Sequence, residues 1–322
     1  MNGILNINKP WGKTSFSIVS LVKRLSGEKR VGHAGTLDPA ATGVLPVCLG
    51  QGTRIIPFLL DATKAYRAQI ELGVATDTYD ATGSITSKGD PSGISREQLL
   101  SALTSFCGLI QQTPPMYSAV KYHGRPLYQL ARSGIQVERK SRPTWVYHLE
   151  LIDWQPPIAT IEVECGKGTY IRSLAHDLGQ LLGCGANLSS LIRLRCGFFD
   201  IEDTVSVPRL EDAFSYGYWQ HFIYPIDIVL SHWAAMVVGE ATEKDIRNGR
   251  PLVLERDDSL PRPSYDNHCR VYTSDGCFLG VLGFNSEEEH WRPEKVFSTA
   301  DSLTGRLFVK LCGNSFEMVQ TP

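Results

Sequence analysis

The sequence predicts an α/β (α+β) core followed by a small β-rich unit at the C-terminal end. Three observations carry this expectation. Strand-like alternation appears over residues 66–72 and again at 161–165. Helical spacing appears between and after those stretches, at 95–106 and 171–181. Beyond about 228–235 the pattern changes to short strands and turns. Strands and helices interleaved in this way imply a sheet covered by helices.

The elements follow in chain order. Phe16, Val19, Val22 and Leu25 recur at helical spacing, so a helix over 15–25 is expected to bury them, with Gly27 ending it. Tyr66, Ala68, Ile70 and Leu72 share one face of a strand, while Arg67, Gln69 and Glu71 share the other. This puts Tyr66 at the edge of a buried face. Ser95-Arg96-Glu97-Gln98 is a capping-box pattern opening a helix that carries Leu99, Leu100, Leu103 and Phe106. Ile161, Val163 and Cys165 line a strand that passes through a Gly-Lys-Gly turn into a helix with Ile171, Leu174, Leu178 and Leu181. Arg172 then falls in the first turn of that helix. Asp275-Gly276 between Val271-Tyr272 and Phe278-Leu279 is a hairpin signal, and Glu287-Glu288-Glu289 is expected in a solvated loop.

Composition narrows the class. The chain has 322 residues, 42% hydrophobic and 20% charged, as in soluble globular proteins. No apolar run reaches the length of a membrane helix; the best, 228–239, is short and contains Ser231 and His232. Residues 1–10 lack the features of an export signal, so a cytoplasmic location is expected. The eight cysteines form no Cys-x-x-Cys pair and read as free thiols. His268-Cys269 and Cys277 lack zinc-ligand spacing, so no metal site is expected. The net charge of −2 hides an asymmetry. Residues 1–200 hold 21 Lys or Arg against 15 Asp or Glu, a balance of +6; residues 201–322 hold 11 against 19, a balance of −8. A basic portion before an acidic one is compatible with an RNA partner on the first portion.

The stretch from Gly32 to Gly43, Gly-His-Ala-Gly-Thr-Leu-Asp-Pro-Ala-Ala-Thr-Gly, is the most informative. It holds one carboxylate, Asp38, on a glycine-rich turn that could present it rigidly as a nucleophile. Alone, Asp-Pro also begins ordinary turns. The stretch resembles the signature of the TruB family of pseudouridine synthases, and further blocks match in family order. They are Lys9, Pro10, Gly12 and Ser15; Lys64-Ala65-Tyr66; Leu72-Gly73; Thr76-Asp77-Thr78-Tyr79-Asp80; Pro114 to Lys121 with Gly124, Tyr128, Ala131, Arg132 and Gly134; Cys165 to Ala175; and Leu191, Arg193, Gly197 and Phe198. The last third matches more loosely.

The resemblance implies a pseudouridine-synthase catalytic core with a mixed, largely antiparallel sheet over 1–230 and a PUA-like domain over 231–322. It implies conversion of uridine 55 in the tRNA T loop to pseudouridine. Asp38 would be the catalytic aspartate, Tyr66 the active-site tyrosine, Arg172 the partner of the aspartate and Leu191 part of the base pocket. His33 would fill the space left by the flipped base. A thumb-like segment at about 113–142 would grip RNA, with Lys9, Lys64, Lys121, Arg132, Arg139, Lys140 and Arg142 as substrate-binding residues. That segment carries six cations against Glu138, interleaved with Tyr117, Tyr122 and Tyr128. The chemistry breaks C1′–N1 and joins C1′ to C5, with no redox change and no phosphate transfer. No cofactor or catalytic metal is expected, and the protein is expected to act as a monomer without guide RNA.

Two other classes compete. Gly12-Lys13-Thr14 resembles the end of a P-loop, but Ile7 stands where the opening glycine belongs and Pro10 interrupts the loop. A non-catalytic RNA-binding or tRNA-folding protein is the alternative; Asp38, Tyr66 and Arg172 together favour catalysis.

Overall fold

The computed structural model describes residues 1–252 and 267–298. Parts of the expected C-terminal unit, 253–266 and 299–322, lie outside the described residues. The large sheet takes, in chain order, β1 (Gly3–Lys9), β2 (Val31–His33), β3 (Thr42–Leu49), β4 (Lys64–Leu72), β5 (Gly108–Gln112), β6 (Arg142–Gln155), β7 (Ile158–Cys165), β8 (Ala186–Cys196) and β9 (Val205–Ser206). Neighbours run β9-β1-β3-β8-β4-β7-β6-β5, with β2 on β3. Pairing along this path is parallel at β9–β1 and β3–β8 and antiparallel elsewhere. The sheet is therefore mixed and largely antiparallel, as expected.

The helices are α1 (Ser15–Ser26), α2 (Ile56–Asp61), α3 (Arg96–Thr104), α4 (Leu127–Arg132), α5 (Ile171–Leu181) and α6 (Val207–Tyr216). Ser95 caps α3 through the expected capping box. One core joins Leu99 and Leu103 of α3 and Ile171, Leu174 and Leu178 of α5 to the inward residues of β4 and β7. A second joins α1 to β1 and β3 around Leu5, Ile7, Leu45 and Val47. Tyr66 and Leu191 pack against both cores. On the opposite face of β4, Arg67 pairs with Glu162 at 2.6 Å, as the alternation requires.

Three helix faces differ from the sequence pattern. Phe16 points to solvent, while the buried stripe of α1 is Ser15, Ile18, Val19 and Val22. The cause is Ser15, whose hydroxyl donates to Leu37 O at 3.1 Å and accepts from Leu37 N at 2.9 Å. That clamp sets the rotation of the helix. Leu100 and Leu181 are also exposed, and Phe106 follows the end of α3.

A second sheet contains β10 (Ala234–Val238), β11 (His268–Thr273), β12 (Phe278–Asn285) and β13 (His290–Val296), in that order, with α7 (Glu240–Arg247) after β10. The expected turn at Asp275-Gly276 joins β11 to β12, and Glu287–Glu289 lie in an exposed turn. This sheet meets the α2 side of the core. Phe58 packs edge-on against Trp233 at 5.1 Å, Arg54 donates to Val296 O, and Ser298 N donates to Gln51 at 2.8 Å. His268 lies by Glu294 and stacks on Trp233. Among the described residues, Cys48, Cys107, Cys165, Cys184, Cys196 and Cys269 are free thiols, and no helix is long and apolar enough to cross a membrane.

The packing of α5 gives a stability test. Leu178 is fully buried and Leu181 is exposed. Leu178→Ala is expected to lower the unfolding free energy by about 2–5 kcal/mol, and Leu181→Ala to change it by less than about 0.5 kcal/mol, in denaturant titrations.

Candidate active site

Asp38 sits on the connection from β2 to β3, and that connection is braced along its length. Gly12 N donates to Pro39 O at 2.8 Å, Ala41 N to Asp38 O at 3.0 Å, and Ala34 N to Pro46 O at 3.0 Å. Ser15 holds Leu37 from the other side. Lys9 at the end of β1 is wholly buried. Its ammonium donates to Lys13 O at 2.6 Å, Pro10 O at 3.0 Å and Pro39 O at 3.3 Å. Burial lowers its pKa to about 8, with Arg193 adding to the effect and Asp38 opposing it. The sequence places Lys9 among the RNA contacts; its burial corrects that reading to a brace of the aspartate turn. The Gly12-Lys13-Thr14 run is part of the same brace, with Thr14 capping α1.

Arg172 lies in the first turn of α5 and is 5% exposed. Its Nε reaches Asp38 Oδ2 at 2.9 Å and its Nη1 approaches Asp80 Oδ2 at 3.6 Å. It also donates to Thr78 O at 3.3 Å and Tyr117 O at 2.8 Å. The start of α5 is fixed by Gln112, whose amide accepts from Tyr170 N at 2.7 Å and donates to Tyr170 O at 2.9 Å. The other oxygen of Asp80 accepts from the hydroxyls of Thr78 and Thr82 at 2.8 and 2.6 Å. Asp80 stands in the Thr76–Asp80 block, but nothing in the spacing assigns it to Arg172. Burial raises the pKa of Asp38; Arg172 and then Lys9 oppose the rise, and Asp80 adds to it. The Asp38 side chain still keeps 40% of its surface exposed, so the carboxylate is both oriented and reachable.

Tyr66 on β4 faces Arg193 on β8 across the antiparallel pair, and Leu191 lies two residues before Arg193. Both Tyr66 and Leu191 are half-buried between the two cores. Burial pushes the Tyr66 phenol up to about 12, against the pull of Arg193. Arg193 is almost wholly buried and bonds to carbonyls: Nε donates to Val44 O at 2.6 Å and Nη2 to Gly35 O at 3.2 Å. It is a second residue whose structural part the sequence does not assign. Gly43 is its footprint, with φ +97° and a virtual Cβ 2.3 Å from Arg193 O. His33 on β2 is half-buried; burial and Arg193 lower its pKa, and its Nδ1 has no partner among the described residues.

The basic segment is not a bare loop. Met116, Leu127 and Leu130 form its own small core, α4 crosses it, and Lys121–Tyr122 pairs with Arg125–Pro126. Lys121, Arg132 and Lys140 are placed on this segment, Lys121 and Lys140 exposed and Arg132 over the Tyr128 ring at 5.6 Å. Arg142 is exposed at the start of β6. Arg139 donates to Pro114 O at 3.0 Å. Lys64 is buried and donates to Leu59 O, Leu60 O and Ala62 O at 3.2, 2.5 and 2.6 Å. It closes the C-terminus of α2, which corrects its expected place among the RNA contacts. No cluster of three or more His, Cys, Asp or Glu residues suited to a metal occurs among the described residues.

Comparison with known proteins gives the chain's family. The description "TruB family pseudouridylate synthase (N terminal domain)" matches residues 23–171, and "tRNA pseudouridylate synthase B C-terminal domain" matches 172–231. The chain is 43% identical over 297 residues to tRNA pseudouridine synthase B of Dehalococcoides mccartyi, covering 92% of this chain and 97% of that relative. It is 42% identical over 288 residues to the protein of the same name in Clostridium tetani, covering 89% and 97%. A chain in the crystal structure of a Cbf5-Nop10-Gar1 complex superposes with a TM-score of 0.70 at 26% identity, covering 92% of this chain and 85% of that one.

Lys9→Met removes the donor from three carbonyls without removing much volume. The expected loss is about 1–3 kcal/mol of unfolding free energy, read by denaturant titration. Lys13→Met, at an exposed position, is expected to leave stability unchanged.

Proposed function

The chain belongs to the TruB family of pseudouridylate synthases and isomerises uridine to pseudouridine in tRNA, and we propose that Asp38 is its catalytic carboxylate and uridine 55 of the T loop its target. The carrying observation is the 2.9 Å pair of Arg172 with Asp38 on a turn braced by Gly12, Ser15 and Lys9. An ionised, oriented carboxylate suits attack at C1′, and equally removal of a ribose proton. Either route releases N1, lets the base turn, and joins C5 to C1′; the C5 proton leaves and N1 ends protonated.

The other residues take parts set by their surroundings. Tyr66 is the neutral phenol at neutral pH because burial holds its proton. We assign its ring to stacking on the uracil, with Leu191 beside it in the base pocket. Burial and Arg193 keep His33 neutral, and we assign its ring to the space left by the flipped base. Lys121, Arg132, Lys140 and Arg142 are assigned to phosphates of the T stem-loop. The 43% identity to a tRNA pseudouridine synthase B along nearly the whole chain supports a tRNA substrate, and we assign the protein stand-alone action without guide RNA, as a monomer in the cytoplasm. Sheet membership supports a division into 1–230 and a PUA-like 231–322.

The deciding assay is a short T-stem-loop RNA in excess EDTA, with pseudouridine mapped by chemical labelling and primer extension. Modification at the T-loop uridine is expected. Asp38→Asn and Asp38→Ala should abolish it while tRNA binding stays within about tenfold. Turnover by both variants near wild type would remove Asp38 from the chemistry. Activity on full tRNA alone would require remote contacts, and activity only with a guide RNA would overturn the stand-alone reading.

The raised pKa of Asp38 fixes the sign of the acid limb. The reactive form is the anion, so activity is lost as pH falls through a value above the ordinary carboxylate range. Asp80→Asn removes a like charge, and the limb in kcat/KM should move to lower pH. Replacing Lys121, Lys140 and Arg142 with Glu should weaken tRNA binding. It should also flatten the plot of log K against log salt by about 0.7–0.9 for each phosphate no longer neutralised.

A further inference from the structure

Trp11 and Phe16 are 72% and 74% exposed, yet each adjoins a residue that holds the aspartate turn. Trp11 precedes Gly12, whose N–H bonds Pro39 O. Phe16 follows Ser15, whose hydroxyl makes both bonds to Leu37. The two rings are thereby anchored through the backbone to the residues on either side of Asp38. Both belong to the stretch before residue 23, where the match to the N-terminal family domain begins. The rotation of α1 turns Phe16 out of the core its spacing predicts. Two large rings held in water forgo burial energy, which Phe16 could regain by facing inward.

Charge indicates the partner. Residues 9–30 carry six Lys or Arg and one acid, Glu28. Lys9 is buried, but Lys13, Lys23, Arg24, Lys29 and Arg30 are exposed. Glu28 is taken by the N-terminal ammonium at 3.1 Å. Exposed aromatics at the head of an exposed basic segment match a single-stranded nucleic acid, whose bases stack while its phosphates meet cations. On its carboxylate side Asp38 connects through Arg172 to Tyr117 of the basic 113–142 segment. On its backbone side it connects to Trp11 and Phe16. We propose that Trp11 and Phe16 form a stacking surface for unpaired bases of the substrate RNA next to the extruded uridine. This rests on the RNA-modifying reading of the site.

The test uses T-stem-loop RNA and the full-length protein with Trp11→Ala, Phe16→Ala, both together, and the ring-preserving Trp11→Phe and Phe16→Tyr. Each alanine variant should raise KM at least about fivefold, and the double variant more, with kcat little changed and the salt dependence retained. The ring-preserving variants should recover most of the affinity. A 2-aminopurine placed beside the target uridine should be quenched by wild type and less so by the double variant. Thermal unfolding separates a folding defect: a lowered midpoint with no rescue by the ring-preserving variants would overturn the proposal. An unchanged KM and quench in the double variant would also overturn it, as would a change confined to self-association on gel filtration. Wild type inactive on every tRNA substrate would instead refute the proposed function, a result separable from these.

Discussion

The buried guanidinium of Arg172 is the constraint on which the candidate site depends. A charge taken from water needs compensation by opposite charge and by acceptors for its N–H groups. Here the compensation comes from four places in the chain: Asp38, Asp80, Thr78 O and Tyr117 O. The aspartate turn, the 76–82 turn, the head of the basic segment and α5 must therefore all be in place together. Asp38 gains orientation from this, but two acids share one cation. Asp80, held by Thr78 and Thr82, spends its other oxygen on hydroxyls, which leaves the Nε contact to Asp38 alone.

Lys9 and Arg193 add two more buried cations, and both donate to backbone carbonyls. Such cations are costly to desolvate, and the lowered pKa of Lys9 expresses that cost. Their positive potential has local consequences. Lys9 opposes the rise that burial imposes on Asp38, while Arg193 helps keep His33 neutral and counters the upward shift of Tyr66. Buried positive charge thus favours the anion of Asp38 and the neutral ring of His33.

Much of this was legible in the sequence, and the remainder was not for definite reasons. Alternation along β4 located Tyr66 on the inner face because a strand has a period of two. The Ser95 capping box and the Asp275-Gly276 turn were readable because their chemistry is local. The family signature singles out Asp38 and Arg172, but the two lie far apart in the chain and no spacing encodes their contact. Lys9 and Lys64 misled because a lysine reads as a surface cation; both instead bond carbonyls that only the folded turns bring together. Phe16 misled because helical spacing gives a face without its rotation, and the rotation was set by a Ser15 hydroxyl bonded 22 residues away. Asp80 and Arg193 lay inside matched blocks, yet their parts depend on partners from other strands.

The distribution of charge explains how an overall acidic chain can hold a polyanion. The segments 9–30 and 113–142 together contain 12 of the 21 Lys or Arg in residues 1–200, but only 2 of the 15 Asp or Glu. Both are coupled to Asp38, one through the backbone of its turn and the other through Arg172. Several other cations of the core sheet are either buried, like Arg193, or already paired, like Arg67 with Glu162 and Arg195 with Glu164 at 2.7 Å. These two segments therefore carry the positive excess of residues 1–200. The second sheet docks through Phe58, Trp233 and backbone carbonyls, an attachment that requires no basic surface of its own. Its acidic balance is then no obstacle to RNA binding elsewhere on the chain.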